Sequence, residues 1–206
     1  MKTLLHLDSS PLETSVSRQL AREYVTSWKQ RHPDGTVRYR DLSAQPPSPL
    51  GMAWIGAAFT PEAARSDEQR RALAESDTLT GELLEADEIV FGVAMHNFGI
   101  PSVLKLWIDQ VVRIGRTFAY DAKGPRGLLT GKKVIILAAT GGNYEVGTPA
   151  GAMNFAEPYL RAVLGFIGVT DLTAITAGGT ARLAGGQIDR AAFLAPTLAQ
   201  IRQAAA

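Results

Sequence analysis

Three runs in this chain, Thr3–Leu7, Ile89–Ala94 and Val134–Ala138, are apolar almost without interruption, with no polar residue at every second position. A strand with one face in water alternates, so these runs suit strands covered on both faces, as in a parallel sheet sandwiched by helices. Shorter runs at Val37–Tyr39 and Leu172–Thr176 bring the series to five, and the stretches between them carry helical spacing. The pattern predicts a doubly wound α/β domain.

At 206 residues and 46% hydrophobic, the chain can bury a sizeable core as one domain, residues 1–206. Its 21 Lys and Arg nearly cancel 20 Asp and Glu, which leaves no broad field to draw nucleic acid or an anionic membrane surface. No cysteine is present, so thiol nucleophiles, disulfides and thiolate metal sites are excluded. The Thr3–Leu7 run stops at Asp8, too short for a signal-peptide core, and no stretch reaches the ~18 apolar residues of a membrane span. A cytoplasmic protein is expected.

The first helix should open at Ser15, bury Val16, Leu20, Tyr24 and Trp28 at fourfold spacing, and end before His32-Pro33-Asp34-Gly35. Arg18, Arg22 and Lys29 form its charged face. A helix from Pro101 should turn Val103, Leu104, Trp107, Ile108 and Val111 inward, with proline in the first turn where its missing N–H costs nothing. Others are expected over Phe155–Phe166 and Asp189–Ala204. The proline-rich stretch Asp41–Pro49 can continue neither a helix nor a central strand, and Trp54, Ile55 and Phe59 follow it. This excursion, residues 42–66, would cover a cleft, meet a partner subunit, or pack on its own domain.

Standard catalytic signatures are missing. There is no G-x-S-x-G elbow and no G-x-G-x-x-G, and Gly127–Lys133 only half resembles a phosphate-binding Walker loop, one residue short and placed before a strand. His6, His32 and His96 lack paired metal-ligand spacing, so no metal site is expected. What remains are the loops at the carboxyl ends of the strands, where open α/β sheets bind ligands. After the first strand, Ser9-Ser10-Pro11-Leu12-Glu13-Thr14-Ser15-Val16-Ser17 runs into a helix N-terminus, whose free N–H groups favour an anion. Taken alone, that loop reads first as a helix cap at Ser15 with Ser9, Ser10 and Ser17 solvated. After the third strand comes Met95-His96-Asn97-Phe98, and after the fourth Ala139-Thr140-Gly141-Gly142-Asn143-Tyr144, where paired glycines admit a planar ligand. Together the three loops describe a flat polar heterocycle with a phosphate tail.

Several stretches carry a resemblance to a known family: the serine loop, M-H-N-F-G-I-P-S-V-L-K-L-W-I-D from Met95 to Asp109, T-F-A-Y from Thr117, G-P-R-G-L-L-T-G-K-K from Gly124, A-T-G-G from Ala139, and P-Y-L-R-A-V-L-G-F-I-G-V-T-D from Pro158. In order and over essentially the whole chain, the sequence resembles the FMN-dependent NADH-azoreductase family of flavodoxin-like quinone reductases. That resemblance implies a five-stranded parallel sheet of order 2-1-3-4-5 with helices on both faces. It implies that Ser10, Ser15, Val16 and Ser17 hold the FMN phosphate, Val16 through its backbone. Met95, His96, Asn97 and Phe98 would line the isoalloxazine, and Ala139, Thr140, Gly141 and Gly142 would close its other side. Tyr120, Phe166 and Tyr144 would wall the substrate pocket of a homodimer with two sites at its interface.

The activity so implied is hydride transfer from NADH to FMN and then to a quinone or azo compound, by a ping-pong mechanism. No catalytic side chain is then expected, since the flavin carries the chemistry. The sequence departs from the family at His96, where tyrosine is usual, and at Ala139-Thr140; FMN binding is expected to survive both. A histidine there would tune the anionic reduced flavin, or serve as a neutral packing ring. The alternative function, a flavodoxin-like one-electron carrier for a protein partner, is opposed by the near-neutral charge.

Overall fold

The computed structural model describes residues 1–186 and 188–205. Its main sheet is built from β1 (Thr3–Asp8), β2 (Thr36–Asp41), β3 (Glu88–Ala94), β6 (Lys133–Ala139) and β7 (Asp171–Ala177), all parallel and ordered β2-β1-β3-β6-β7. Counted along the main sheet alone, that is the order 2-1-3-4-5. A separate antiparallel hairpin pairs β4 (Phe118–Asp121) with β5 (Gly124–Gly127).

Successive residues of the inner strands point into different layers, which is why their runs are unbroken. Leu5, Ile89 and Val134 join one core, with Leu79 and Leu83 of α3 (Asp67–Glu85), Trp107 of α4 (Ser102–Val111) and Leu160 of α5 (Ala156–Phe166). Their neighbours Leu4, Val90 and Ile135 join the other, with Leu20, Tyr24 and Trp28 of α1 (Val16–Arg31) and Leu194 and Ile201 of α6 (Arg190–Ala205). Each aliphatic side chain so buried contributes about 1.5–3 kcal/mol.

Ser15 caps α1, and Pro101 immediately precedes α4 as its N-cap. Asp189 starts α6 by accepting from the Ala191 and Ala192 amides at 3.3 and 3.1 Å. The excursion after β2 leads into α2 (Met52–Phe59), whose Ala57 and Ala58 pack with Trp54 on Leu73 of α3. Trp54 Nε1 also donates to Gln110 Oε1 at 2.8 Å. One face of the excursion thus packs on its own domain, while Met52 and Phe59 stay exposed.

The expected charged face of α1 is overturned at one position. Arg18, placed by periodicity on the solvated face of α1, is 4% exposed. The C-terminal ends of β1 and β2 set Asp8 beside Asp41, and Arg18 is drawn inward onto both carboxylates, at 3.5 Å from Asp8 Oδ2 and 2.7 Å from Asp41 Oδ2. The Walker-like stretch is no phosphate loop: Gly127 lies against Gly168, and Lys132 Nζ donates to the Leu84 carbonyl at 2.7 Å and to that of Ala86, closing the end of α3.

Candidate functional site

The loop after β1 is fixed from beneath. Ser9 donates through its backbone and its hydroxyl to the Gly92 carbonyl, at 3.2 and 2.9 Å, and accepts at its own carbonyl from Ser43 Oγ at 3.0 Å. Ser9, Ser10 and Ser17 are all buried, which overturns the solvated reading of these hydroxyls. Ser17 Oγ pairs with Ser15 Oγ at 2.8 Å, so its hydroxyl supports the cap while its amide belongs to the donor-rich first turn of α1.

The loop after β3 is a tight turn in which His96 and Gly99 exchange both backbone hydrogen bonds at 3.0 Å. Its central residues, Asn97 and Phe98, take φ of 48° and 71°. A two-residue turn of this hand requires φ above zero at both positions. Asn tolerates that; Phe98 does so at a cost of about 1–3 kcal/mol. The turn is tied to its surroundings by Met95 N–H to the Ala139 carbonyl and Phe155 N–H to the Phe98 carbonyl, both 2.9 Å.

The loop after β6 is pinned to the one after β7. Thr140 donates its amide to the Ala177 carbonyl at 3.0 Å and its hydroxyl to the Gly142 carbonyl at 2.8 Å, while Thr180 donates through N–H and Oγ1 to the Thr140 carbonyl at 2.9 and 3.0 Å. Thr140 is therefore a buried strut behind the glycines. The Tyr144 ring lies over Gly142, where an added Cβ would stand 3.2 Å from it, and meets Phe98 edge-on at 6.0 Å between ring centroids.

These loops enclose a cleft of about 210 Å3. Of the residues singled out in the sequence, Ser10, Ser15, Val16, Met95, His96, Ala139 and Gly141 line it. Ser17, Asn97, Phe98, Thr140 and Gly142 belong to the same loops without lining it, and Tyr144 stands at their rim through Gly142 and Phe98. Tyr120 and Phe166 lie elsewhere, joined through Phe118 at centroid distances of 5.8 and 4.9 Å. Sequence reasoning missed Thr180, which also lines the cleft; its signal was the Gly178-Gly179 pair after β7, equivalent to the Gly141-Gly142 pair after β6.

No Asp or Glu lines the cleft among the described residues. Hydroxyls and first-turn amides at one end, with glycine backbone and a strained turn at the other, suit a phosphate ester joined to a flat ring. Behind the serine end of the cleft lies a compensated charge cluster. Burial pulls the Arg18 guanidinium down, but the Asp41 hydrogen bond and the Asp8 charge outweigh it and hold its pKa above the ordinary value. Burial and the neighbouring Asp8 push the Tyr39 phenol up to about 12; Tyr39 donates to Asp8 Oδ2 at 3.1 Å.

Fold and cleft together define a flavodoxin-like α/β domain with a carboxylate-free cleft, among the described residues, at the carboxyl edge of its sheet. The chain belongs to the family described as having the flavodoxin-like fold, whose model matches residues 2–204. A relative from Acidobacterium capsulatum named FMN-dependent NADH:quinone oxidoreductase is 61% identical over 206 residues, covering 100% of both chains. One of that name from Burkholderia lata, numbered 3, is 44% identical over 203 residues and 98% of each. Among solved structures, an azoreductase from Bacillus anthracis superposes with a TM-score of 0.88 at 30% identity, covering 100% of this chain and 99% of its own.

Proposed function

We propose that this chain is an enzyme that uses FMN to pass electrons from NADH to quinones, and to azo compounds, by a ping-pong mechanism. The observation that carries the reading is the carboxylate-free cleft formed where the loops after β1, β3 and β6 converge. The Ser10 and Ser15 hydroxyls and the Val16 and Ser17 amides would hold the phosphate. Ser17 acts through its amide, since its hydroxyl is engaged with Ser15. Met95, His96, Asn97 and Phe98 would flank one side of the ring. Ala139, Gly141 and Gly142 would flank the other, with Thr140 holding the glycine loop in shape.

Bound FMN supplies a two-electron carrier that accepts hydride from a nicotinamide and yields it to the acceptor. The chain's own contribution is position and exclusion of water. Nicotinamide and acceptor would use the same open side of the cleft in turn, bounded by Phe98 and Tyr144. A quinone consumes one NADH and one proton to give the hydroquinone. Cleavage of an azo bond to two amines consumes two NADH and two protons, so quinone reduction is the easier assay. The exposed Tyr120 and Phe166 would serve the cleft of a second subunit in a homodimer.

The test is the visible spectrum of the purified protein, then anaerobic stopped-flow mixing with NADH and afterwards with benzoquinone. Flavin absorption that bleaches with NADH and returns with quinone, in two separable phases, is expected. A protein that neither carries FMN nor takes it up would overturn the reading.

A further inference from the structure

The loop after β1 meets its ligand without a lysine or arginine in the cleft lining, yet three arginines stand behind it. Arg18 donates to the Ser10 carbonyl twice, from Nε at 3.0 Å and Nη2 at 2.6 Å. Arg190, at the start of α6 and 176 residues away in sequence, donates from Nη2 to the Thr14 carbonyl and from Nε to Gln19 Oε1, both at 2.9 Å. Arg22 adds a longer contact, Nη2 to the Glu13 carbonyl at 3.3 Å. None of the three lines the cleft, so the carbonyls they hold are engaged on the outside of the loop.

The orientation matters because a carbonyl oxygen facing a phosphate repels it, whereas hydroxyls and amides attract it. Ser10 is the sensitive position: the peptide after it ends on Pro11, which has no N–H to offer whichever way the peptide turns. Arg18 also offsets Asp8 and Asp41, two carboxylates at the strand ends directly behind the loop. Removing it would release the Ser10 carbonyl and expose the phosphate end to two uncompensated negative charges.

We propose that Arg18 and Arg190 are positioning residues that make this loop selective for the phosphate of the flavin, by holding the Ser10 and Thr14 carbonyls away from it. The inference rests on the reading that FMN occupies the cleft. It predicts a loss confined to the phosphate: a flavin without one should not sense the change.

The experiment titrates the full-length protein, freed of flavin, with FMN and with riboflavin, following flavin fluorescence. Wild type should prefer FMN. Arg18→Met and Arg190→Met should each weaken FMN binding by about tenfold or more while leaving riboflavin affinity unchanged. Arg18→Lys should fail to restore FMN, because one ammonium cannot reproduce a planar fork shared between the Ser10 carbonyl and Asp41. Equal losses for both flavins would mean the arginines only hold the fold together, and full rescue by lysine would mean that charge alone suffices; either overturns the proposal. Should Arg18→Met not fold, as judged by circular dichroism, Arg190→Met decides by itself, since Arg190 lies at the partly exposed start of a helix. Wild type that binds neither flavin would instead sink the FMN reading.

Discussion

Arg18 sits where helical periodicity puts a solvated side chain, and two carboxylates on neighbouring strands move it indoors. No local pattern reveals this, because Asp8 and Asp41 become neighbours only when β1 and β2 pair. The consequence for stability has a definite sign. Burial pushes the Asp41 carboxyl up, but the Arg18 hydrogen bond and the Ala44 and Ser43 amides outweigh it and hold its pKa below the ordinary carboxylate value. A carboxyl depressed in the folded state stabilises fully above its unfolded pKa of about 3.9 and loses that contribution as pH falls through the folded value. Asp41→Asn should therefore be less stable than wild type at pH 7 by about 1–3 kcal/mol and close the gap below pH ~4. Urea midpoints measured from pH 6 to 2 check this. Some acid sensitivity should persist in the variant, because the Thr3 amide likewise holds Asp87 low. A gap independent of pH would show that Asp41 is not linked to protonation.

The three inner strands were legible as unbroken apolar runs and the two edge strands as shorter ones, and the starts of α1, α4 and α6 were coded by a capping serine, a proline that falls at the N-cap one residue before the first turn in which it was expected, and a capping aspartate. The β4–β5 hairpin was not. Its strands have four residues each, one of them Gly-Pro-Arg-Gly, and it exists because β5 is pressed against the α5–β7 turn. The cleft shows the same division. The serine and glycine loops could be placed at the cleft from their position after apolar runs, whereas Thr180 reaches it only through the tertiary tie to Thr140. Gly127 marks the hairpin's anchor: a Cβ there would stand 2.2 Å from Gly168 N and 2.3 Å from the Ile167 carbonyl carbon, both backbone atoms with no freedom to retreat. Gly127→Ala should cost about 1–3 kcal/mol. Gly81→Ala, inside α3 with nothing within 4 Å of the new carbon, should gain about 0.5–1 kcal/mol instead. Denaturation midpoints of the two variants should move in opposite directions, and a neutral Gly127→Ala would remove this account of how the hairpin is held.

At the scale of the whole molecule, the chain exposes more surface than a monomer of its mass should. Its accessible area is 10499 Å2, against about 9,300 Å2 expected for a compact monomer of 22.0 kDa. The excess, on the order of 1,200 Å2, exceeds the ~800 Å2 that each partner buries in a standard interface and falls within one partner's share of an obligate homodimer interface. Two of the exposed aromatic groups stand together: Tyr120, at 64% exposure, is joined through Phe118 to Phe166, which borders a shallow, mostly apolar depression with Ile108, Asp109, Val112, Tyr159 and Val163. Patches of that kind mark contact with another molecule. If a second copy covers this one, the protein should sediment at twice its chain mass at micromolar concentration, and Val163→Glu should sediment as a monomer. Because Tyr120 and Phe166 stand apart from their own cleft, the same variant should still bind FMN yet lose most of its quinone turnover. A wild type that sediments as a monomer would refute the dimer. A monomeric Val163→Glu with full turnover would keep the dimer but detach it from the chemistry.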